Sequence, residues 1–225
     1  MTRLTRHQLI QRVARDIPSG SYVNLGIGLP TMIADMIAPE REVFLHSENG
    51  ILHFGPRPRD ERPDPCLINA SKQPVTLYPG AAIFDSATSF AMMRGGHLDL
   101  AVLGAYEVSQ SGDLANWSRG DPGVPPAVGG AMELAYGAKQ IWVVMEHTTK
   151  LGTPRIVERC VLPLTARSVV TRIYSDLAVL AVTPGGLLVE EMVDGVSFEE
   201  LQAVTGACLM PAGQAGSTFV RPASP

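Results

Sequence analysis

The order and spacing of apolar runs near the N-terminus constrain the fold more than any other feature of the chain. Tyr22 to Leu25 reads as a strand, Gly26-Ile27-Gly28 as a turn, Pro30 as an early helix position leading into Thr31 to Ile37, and Val43 to Leu45 as a second strand. Strand, helix, strand at such close spacing predicts a parallel sheet with helical crossovers. Later runs extend it: strands at Val75 to Tyr78, Leu100 to Leu103 and Ile141 to Met145, and a helix around Ser86 to Met93 closed by Gly95-Gly96. Val169 to Ile173, Leu177 to Val182 and Leu187 to Val189, separated by turn residues such as Thr183-Pro184-Gly185-Gly186, predict a more antiparallel end. The expected class is α/β, an open, mostly parallel sheet with helices on both faces, in one domain spanning 1–225.

Two capping-box patterns mark helix starts, Thr5 with Gln8 and Ser197 with Glu200. After Thr5, Leu9, Ile10, Val13, Ala14 and Ile17 recur on one helical face before Pro18-Ser19-Gly20. Residues 55–65 hold four prolines and six charges and read as a surface loop. A frayed tail is expected at Arg221-Pro-Ala-Ser-Pro225, and a second irregular region from Ser109 to Val128. The Arg119-Gly120-Asp121 triplet in that region is a chance occurrence in a chain without a secretion signal. The pairs Glu190-Glu191 and Glu199-Glu200 read as solvated element ends.

Composition narrows the function. Hydrophobic residues are 45% and charged residues 18%, which suits a compact folded chain, and the net charge of −4 with scattered lysines and arginines excludes a basic nucleic-acid stripe. Cys66, Cys160 and Cys208 are far apart and form no C-x-x-C pair, so neither a disulfide framework nor a zinc site is expected, and a reducing cytoplasm fits. The N-terminus lacks an apolar signal core, and no apolar run approaches the roughly 20 residues of a membrane helix. The five histidines, His7, His46, His53, His97 and His147, have no metal-ligand spacing, and no metal is expected.

Three stretches carry chemical interest. Phe44-Leu45-His46-Ser47-Glu48-Asn49-Gly50 ends a strand in a tight turn, where Asn49-Gly50 tolerates positive φ and Glu48 is aimed outward. Many ordinary hairpins share that pattern. Gly26-Ile27-Gly28 invites a dinucleotide reading, but Thr31 stands where the third glycine of G-x-G-x-x-G belongs and Pro30 stiffens the turn. A turn allowing close approach to the backbone fits better. Gly129-Gly130 enters a helix at Ala131, leaving backbone N–H groups free in the first turn. No G-x-S-x-G nucleophile elbow is present.

At Ser47-Glu48-Asn49-Gly50 and Asn24-Leu25-Gly26-Ile27-Gly28-Leu29-Pro30, the chain resembles the B subunit of the 3-oxoacid CoA-transferases. The match continues through Leu67-Ile68-Asn69-Ala70, Met93-Arg94-Gly95-Gly96-His97-Leu98-Asp99, Gly112-Asp113-Leu114-Ala115-Asn116-Trp117 and Gly129-Gly130-Ala131-Met132-Glu133-Leu134. It extends to Met145-Glu146-His147, Leu162-Pro163-Leu164-Thr165 and Arg172-Ile173-Tyr174.

The resemblance implies a transferase working with a separate A subunit, as a heterodimer or α2β2 assembly, on acyl-CoA and a 3-oxoacid, without metal or organic cofactor. Glu48 matches the family's catalytic glutamate. A backbone N–H of Gly129-Gly130 matches one oxyanion donor, Gly130 being the expected catalytic contributor. Gly26, Gly28, Asn49, Gly50 and Gly129 are the expected substrate or CoA contacts. Similarity along Met92 to Val108 and Arg172 to Val182 favours 3-oxoadipate over acetoacetate. His53 and Phe54 depart from the small or aliphatic residues usual there, and are expected to crowd the acyl pocket. A thioesterase, or an acyl-CoA-binding subunit with a vestigial glutamate, is the alternative.

Overall fold

The structure, a computed structural model, describes residues 2–59, 63–120 and 129–211. The chain order is α1 (Arg6–Asp16), β1 (Tyr22–Leu25), a 3₁₀ helix (Leu29–Met36), β2 (Phe44–Ser47), β3 (Ile51–Phe54), β4 (Leu77–Ile83), α2 (Ser86–Arg94), β5 (Leu100–Leu103), β6 (Glu107–Ser109) and β7 (Leu114–Ala115). There follow α3 (Ala131–Gly137), β8 (Gln140–Met145), β9 (Ile156–Val157), β10 (Val170–Ser175), β11 (Ala178–Thr183), β12 (Gly186–Met192), α4 (Phe198–Ala203) and β13 (Leu209–Met210).

Ten strands form one sheet in the order β13-β12-β11-β10-β8-β5-β1-β2-β3-β4. Its centre, β2-β1-β5-β8-β10, is parallel throughout. The flanks turn antiparallel, through β3 and β4 on one side and β11 and β12 on the other. The central strands are buried on both faces, and the two-residue period sorts their side chains. Leu100, Val102, Trp142 and Val144 pack with Leu9, Ile10, Val13 and Ile17 of the α1 segment and with Ile33 of the 3₁₀ helix. Ala101, Leu103, Ile141, Val143 and Met145 pack with Met93, Leu134 and Leu201 on the opposite face. Helices therefore cover both faces, as expected.

Both capping boxes close: Thr5 and Gln8 exchange bonds of 2.9 and 3.3 Å, and Ser197 and Glu200 of 2.9 and 3.1 Å. Several expectations are corrected. The helix expected at Thr31 to Ile37 is a 3₁₀ helix over Leu29–Met36, its Thr31 bonding back three residues to the Gly28 carbonyl. The element is short, and Pro30 supplies no N–H to an α-helical ladder. The strand expected at Val75 to Tyr78 runs instead over Leu77–Ile83, through Pro79 and Gly80. It is an edge strand, where a proline without a ladder donor is tolerated.

Part of the expected irregular region, Ser109 to Val128, is ordered: β6, β7 and β9 make a small three-stranded sheet, and residues 121–128 lie outside the described residues. So do residues 60–62 of the proline-rich loop and the C-terminal tail from 212 onward. Glu190 and Glu191 are not simply solvated. Glu190 pairs with Arg172 at 2.8 Å, and Glu191 accepts from Arg12 Nε at 2.9 Å, tying β12 to β10 and α1.

Candidate active site

Glu48 follows the carboxyl end of β2, where β2 turns back into antiparallel β3. The Gly50 N–H donates to the Ser47 carbonyl at 2.9 Å, and the Gly50 carbonyl accepts from Phe84 N–H at 3.0 Å. Gly50 has φ 108°, and a Cβ there would lie 2.0 Å from the Phe84 carbonyl oxygen. Only glycine satisfies both conditions. The turn is clamped from the side: Ser47 Oγ accepts from Ala70 N–H at 2.9 Å and donates to Asn49 Oδ1 at 2.6 Å, while Asn49 Nδ2 donates to the Ile68 carbonyl at 2.7 Å. This gives the Leu67-Ile68-Asn69-Ala70 stretch its structural reason.

Beneath the turn, the fully buried His46 ring is held on both sides. Its Nδ1 accepts from Asn24 Nδ2 at 2.9 Å, so Nε2 carries the hydrogen and faces Ser89 Oγ at 3.0 Å. Burial pushes its pKa down to about 4, and a second ring proton would face the Asn24 donor. His46 is a neutral positioning element.

Across from Glu48 stands the glycine turn that enters α3. A Cβ on Gly130 would lie 2.3 Å from Glu48 Oε2 and 3.4 Å from Phe90 Cζ. The backbone of Gly130, φ −79° and ψ 3°, is open to any residue, so it is the carboxylate that leaves no room for a side chain. The carboxylate is half-buried, and its pKa is raised by burial and then by the charge of Glu133. A raised pKa makes the ionised form a stronger base and nucleophile.

Glu48 opens on a cavity of about 880 Å³ lined also by Gly26, Gly28, Gly129 and Gly130. These expected site residues thus converge from three separate stretches. Gly28 has φ 94°, whereas Gly26 is small because a Cβ would sit 2.9 Å from Leu103 Cδ2. Asn49 and Gly50 do not line the cavity; they shape the turn. His53 and Phe54 do not line it either, correcting the expected crowding of the pocket. His53 rings against Phe44 and Tyr78 at 4.8 and 5.3 Å, and Phe54 is buried in the core. Because β3 runs antiparallel to β2, with Ile51 level with Ser47 and Leu52 with His46, both residues lie back along the strand, away from the carboxylate.

Residues without an assigned role also line the cavity, among them Tyr106, Asn116, Trp117 and Arg155. Asn116 Nδ2 donates to the Gly104 carbonyl at 3.1 Å and its Oδ1 accepts from Thr165 at 2.6 Å; Trp117 Nε1 donates to the Leu164 carbonyl at 3.2 Å. Leu164 and Thr165 of the 162–165 motif therefore brace Asn116 and Trp117, which line the cavity. Arg155, beside Pro154 and outside every motif, had no sequence signal. Among the described residues no cluster of His, Cys, Asp or Glu is placed to hold a metal ion.

The sequence model of the family described as Coenzyme A transferase matches residues 6–203. The chain belongs to the coenzyme A transferase family. It is 56% identical over 212 residues to the B subunit of 3-oxoadipate CoA-transferase from Acinetobacter baylyi, covering 94% of this chain and 98% of that protein. It is 48% identical over 203 residues to the B subunit of the probable succinyl-CoA:3-ketoacid coenzyme A transferase from Bacillus subtilis, covering 90% and 93%. The acyl-CoA transferase YdiF of Escherichia coli O157:H7, as the apoenzyme, superposes with a TM-score of 0.74 at 18% identity, over 93% of this chain and 42% of that chain. At that identity the superposition speaks for the fold, which is the one expected of the family. No helix among the described residues is long and apolar enough to cross a membrane.

Proposed function

We propose that the chain is the B subunit of a CoA-transferase that moves CoA from succinyl-CoA to a 3-oxoacid through a thioester on Glu48. The observation carrying this reading is the pairing of a desolvated glutamate with a glycine whose side-chain position the carboxylate itself fills. A Glu48 oxygen adds to the thioester carbonyl, the oxyanion forms, and CoA thiolate leaves a mixed anhydride. The thiolate then attacks the glutamyl carbonyl, releasing succinate and leaving glutamyl-CoA. The acceptor carboxylate attacks that thioester, again expelling thiolate, which captures the acyl carbonyl and restores Glu48.

Each addition develops an oxyanion, for which a backbone N–H of Gly129-Gly130 is the donor on this chain and a group of the A subunit the second. Losing one such donor typically costs about 3 kcal/mol. The exchange conserves thioester energy and needs no metal or organic cofactor. An α2β2 assembly with the A subunit, working in the cytoplasm, completes the reading. The 56% relative named for 3-oxoadipate, against 48% for the one named for succinyl-CoA:3-ketoacid transfer, supports 3-oxoadipate as acceptor.

The test is reconstitution with an A subunit. The pair transfers CoA from succinyl-CoA to 3-oxoadipate, and neither chain alone does. Release of free CoA without acceptor at the transfer rate identifies a thioesterase instead. Full activity in Glu48→Gln identifies a non-catalytic subunit.

A further inference from the structure

Among the described residues, four charged side chains line the cavity: Arg6, Glu48, Glu146 and Arg155. Arg6 is mostly exposed and pairs with Glu146 at 3.0 Å, so these two neutralise one another at the rim. Glu48 is the nucleophile of the proposed reaction. Arg155 is the cation of the four that has no ion-pair partner among the described residues.

Its guanidinium is half-buried yet meets only backbone oxygens. Nε donates to the Tyr106 carbonyl at 3.0 Å and Nη2 to the Ala105 carbonyl at 2.6 Å. Among the described residues it makes no ion pair, and Nη1 has no acceptor. Of five N–H groups two are used, leaving the Nη1–Nη2 edge, whose parallel donors match a carboxylate. The side chain is also held at its root, since Arg155 N–H donates to the His147 carbonyl at 3.1 Å and its own carbonyl accepts from Val108 N–H at 3.0 Å. Arg119, over the Tyr106 ring at 5.3 Å, adds positive potential nearby. Burial lowers the Arg155 pKa, and the more distant charges of Glu146 and Asp176 offset that desolvation only in part.

We propose that Arg155 binds the far carboxylate of a dicarboxylic acyl group, the one that does not enter the thioester, and thereby selects dicarboxylic over monocarboxylic 3-oxoacids. The inference rests on the reading of Glu48 as acyl acceptor. CoA supplies anions as well, but its phosphates lie a full pantetheine chain from the sulfur. The anion that shares a cavity with Glu48 while the thioester is at its carboxylate is the acyl group's own. A planar, anchored fork fits that task better than a flexible ammonium.

The test uses the complex with the A subunit, comparing wild type, Arg155→Gln and Arg155→Lys at saturating succinyl-CoA with 3-oxoadipate or acetoacetate as acceptor. In a two-stage exchange kcat/KM for the acceptor reports the second stage alone, so damage to the succinyl-CoA stage does not enter. The ratio between acceptors also cancels any partly unfolded fraction. Wild type prefers 3-oxoadipate; Arg155→Gln loses about 100-fold on it and less than about 5-fold on acetoacetate, with Arg155→Lys between. Equal losses on both acceptors, or an unchanged preference, overturn the proposal and leave the transferase reading standing. A wild-type complex that serves neither acceptor overturns both.

Discussion

Two buried histidines, one at the carboxyl end of β2 and one just beyond β8, are built alike and serve different ends. His46 is clasped by Asn24 and Ser89, His147 by Ser175 and Thr205 at 2.8 Å each. Beyond the ring, Thr205 Oγ1 donates to the Leu201 carbonyl at 2.7 Å and Ser175 Oγ to the Ala178 carbonyl at 3.1 Å. Burial brings both pKa values down to about 4. Two residues past His46 stands Glu48, facing a glycine. Past His147 comes a turn, Thr149 to Thr153, that closes on itself without a reactive group. The buried polar clasp fixes where a strand ends; chemistry depends on what the next residues face. His46 therefore positions the turn that carries Glu48, and His147 joins β10 to the end of α4.

The largest effect expected is at the residue facing Glu48. Gly130→Ala leaves a permissible backbone and puts a methyl group on the carboxylate, so kcat falls at least about 100-fold while Tm moves by only about 2 °C, seen by steady-state assay beside calorimetry. Gly50→Ala, one turn away, gives no folded protein to assay, because its Cβ meets backbone. Next come the histidines. His46→Ala and His147→Ala each lose about 2–3 kcal/mol in denaturant titrations, from a cavity and orphaned partners. Only His46→Ala also loses activity, by about tenfold or more, assayed well below its melting point. Equal activity in the two variants breaks the contrast between the sites.

Acid sharpens the comparison further. Both histidines bind a proton more weakly folded than unfolded, so their contribution is present above the ordinary pKa near 6.5 and is lost as pH falls toward about 4. Unfolding free energy should drop across that window, by up to about 3 kcal/mol per histidine, and His46→Asn or His147→Asn should flatten it. The smallest effect concerns Glu133, whose charge helps raise the Glu48 pKa and is itself paired with Arg94 at 3.2 Å. In the proposed mechanism the acid limb of kcat/KM reports ionisation of Glu48, and Glu133→Gln moves it to lower pH.

Much of this was legible in the residues. The continuous apolar run of Leu100 to Leu103, both capping boxes and the turn glycines announce themselves through local chemistry. So does Glu48, once its neighbours are read with it. What stayed hidden depends on partners distant in the chain. Ile51–Phe54 pairs back on β2 only because Gly50 turns the chain, and two-residue strands such as Leu114–Ala115 are too short for any period to show. Proline and glycine inside β4 read as a turn until its place at the sheet edge is known. His53 reads as crowding the site because sequence adjacency hides the reversal of β3, which carries it away from the turn. Arg155 reaches the cavity through parallel pairing of β6 with β9, a contact no local pattern marks.

The central claim is that Glu48 itself carries CoA between donor and acceptor. The complex with the A subunit, incubated with succinyl-CoA and no acceptor, should yield this chain heavier by CoA less one water on intact mass spectrometry. The added mass should lie on the peptide containing Glu48, disappear on addition of 3-oxoadipate, and be absent from Glu48→Ala. Transfer that proceeds with no such adduct, or an adduct and transfer that survive in Glu48→Ala, would contradict it.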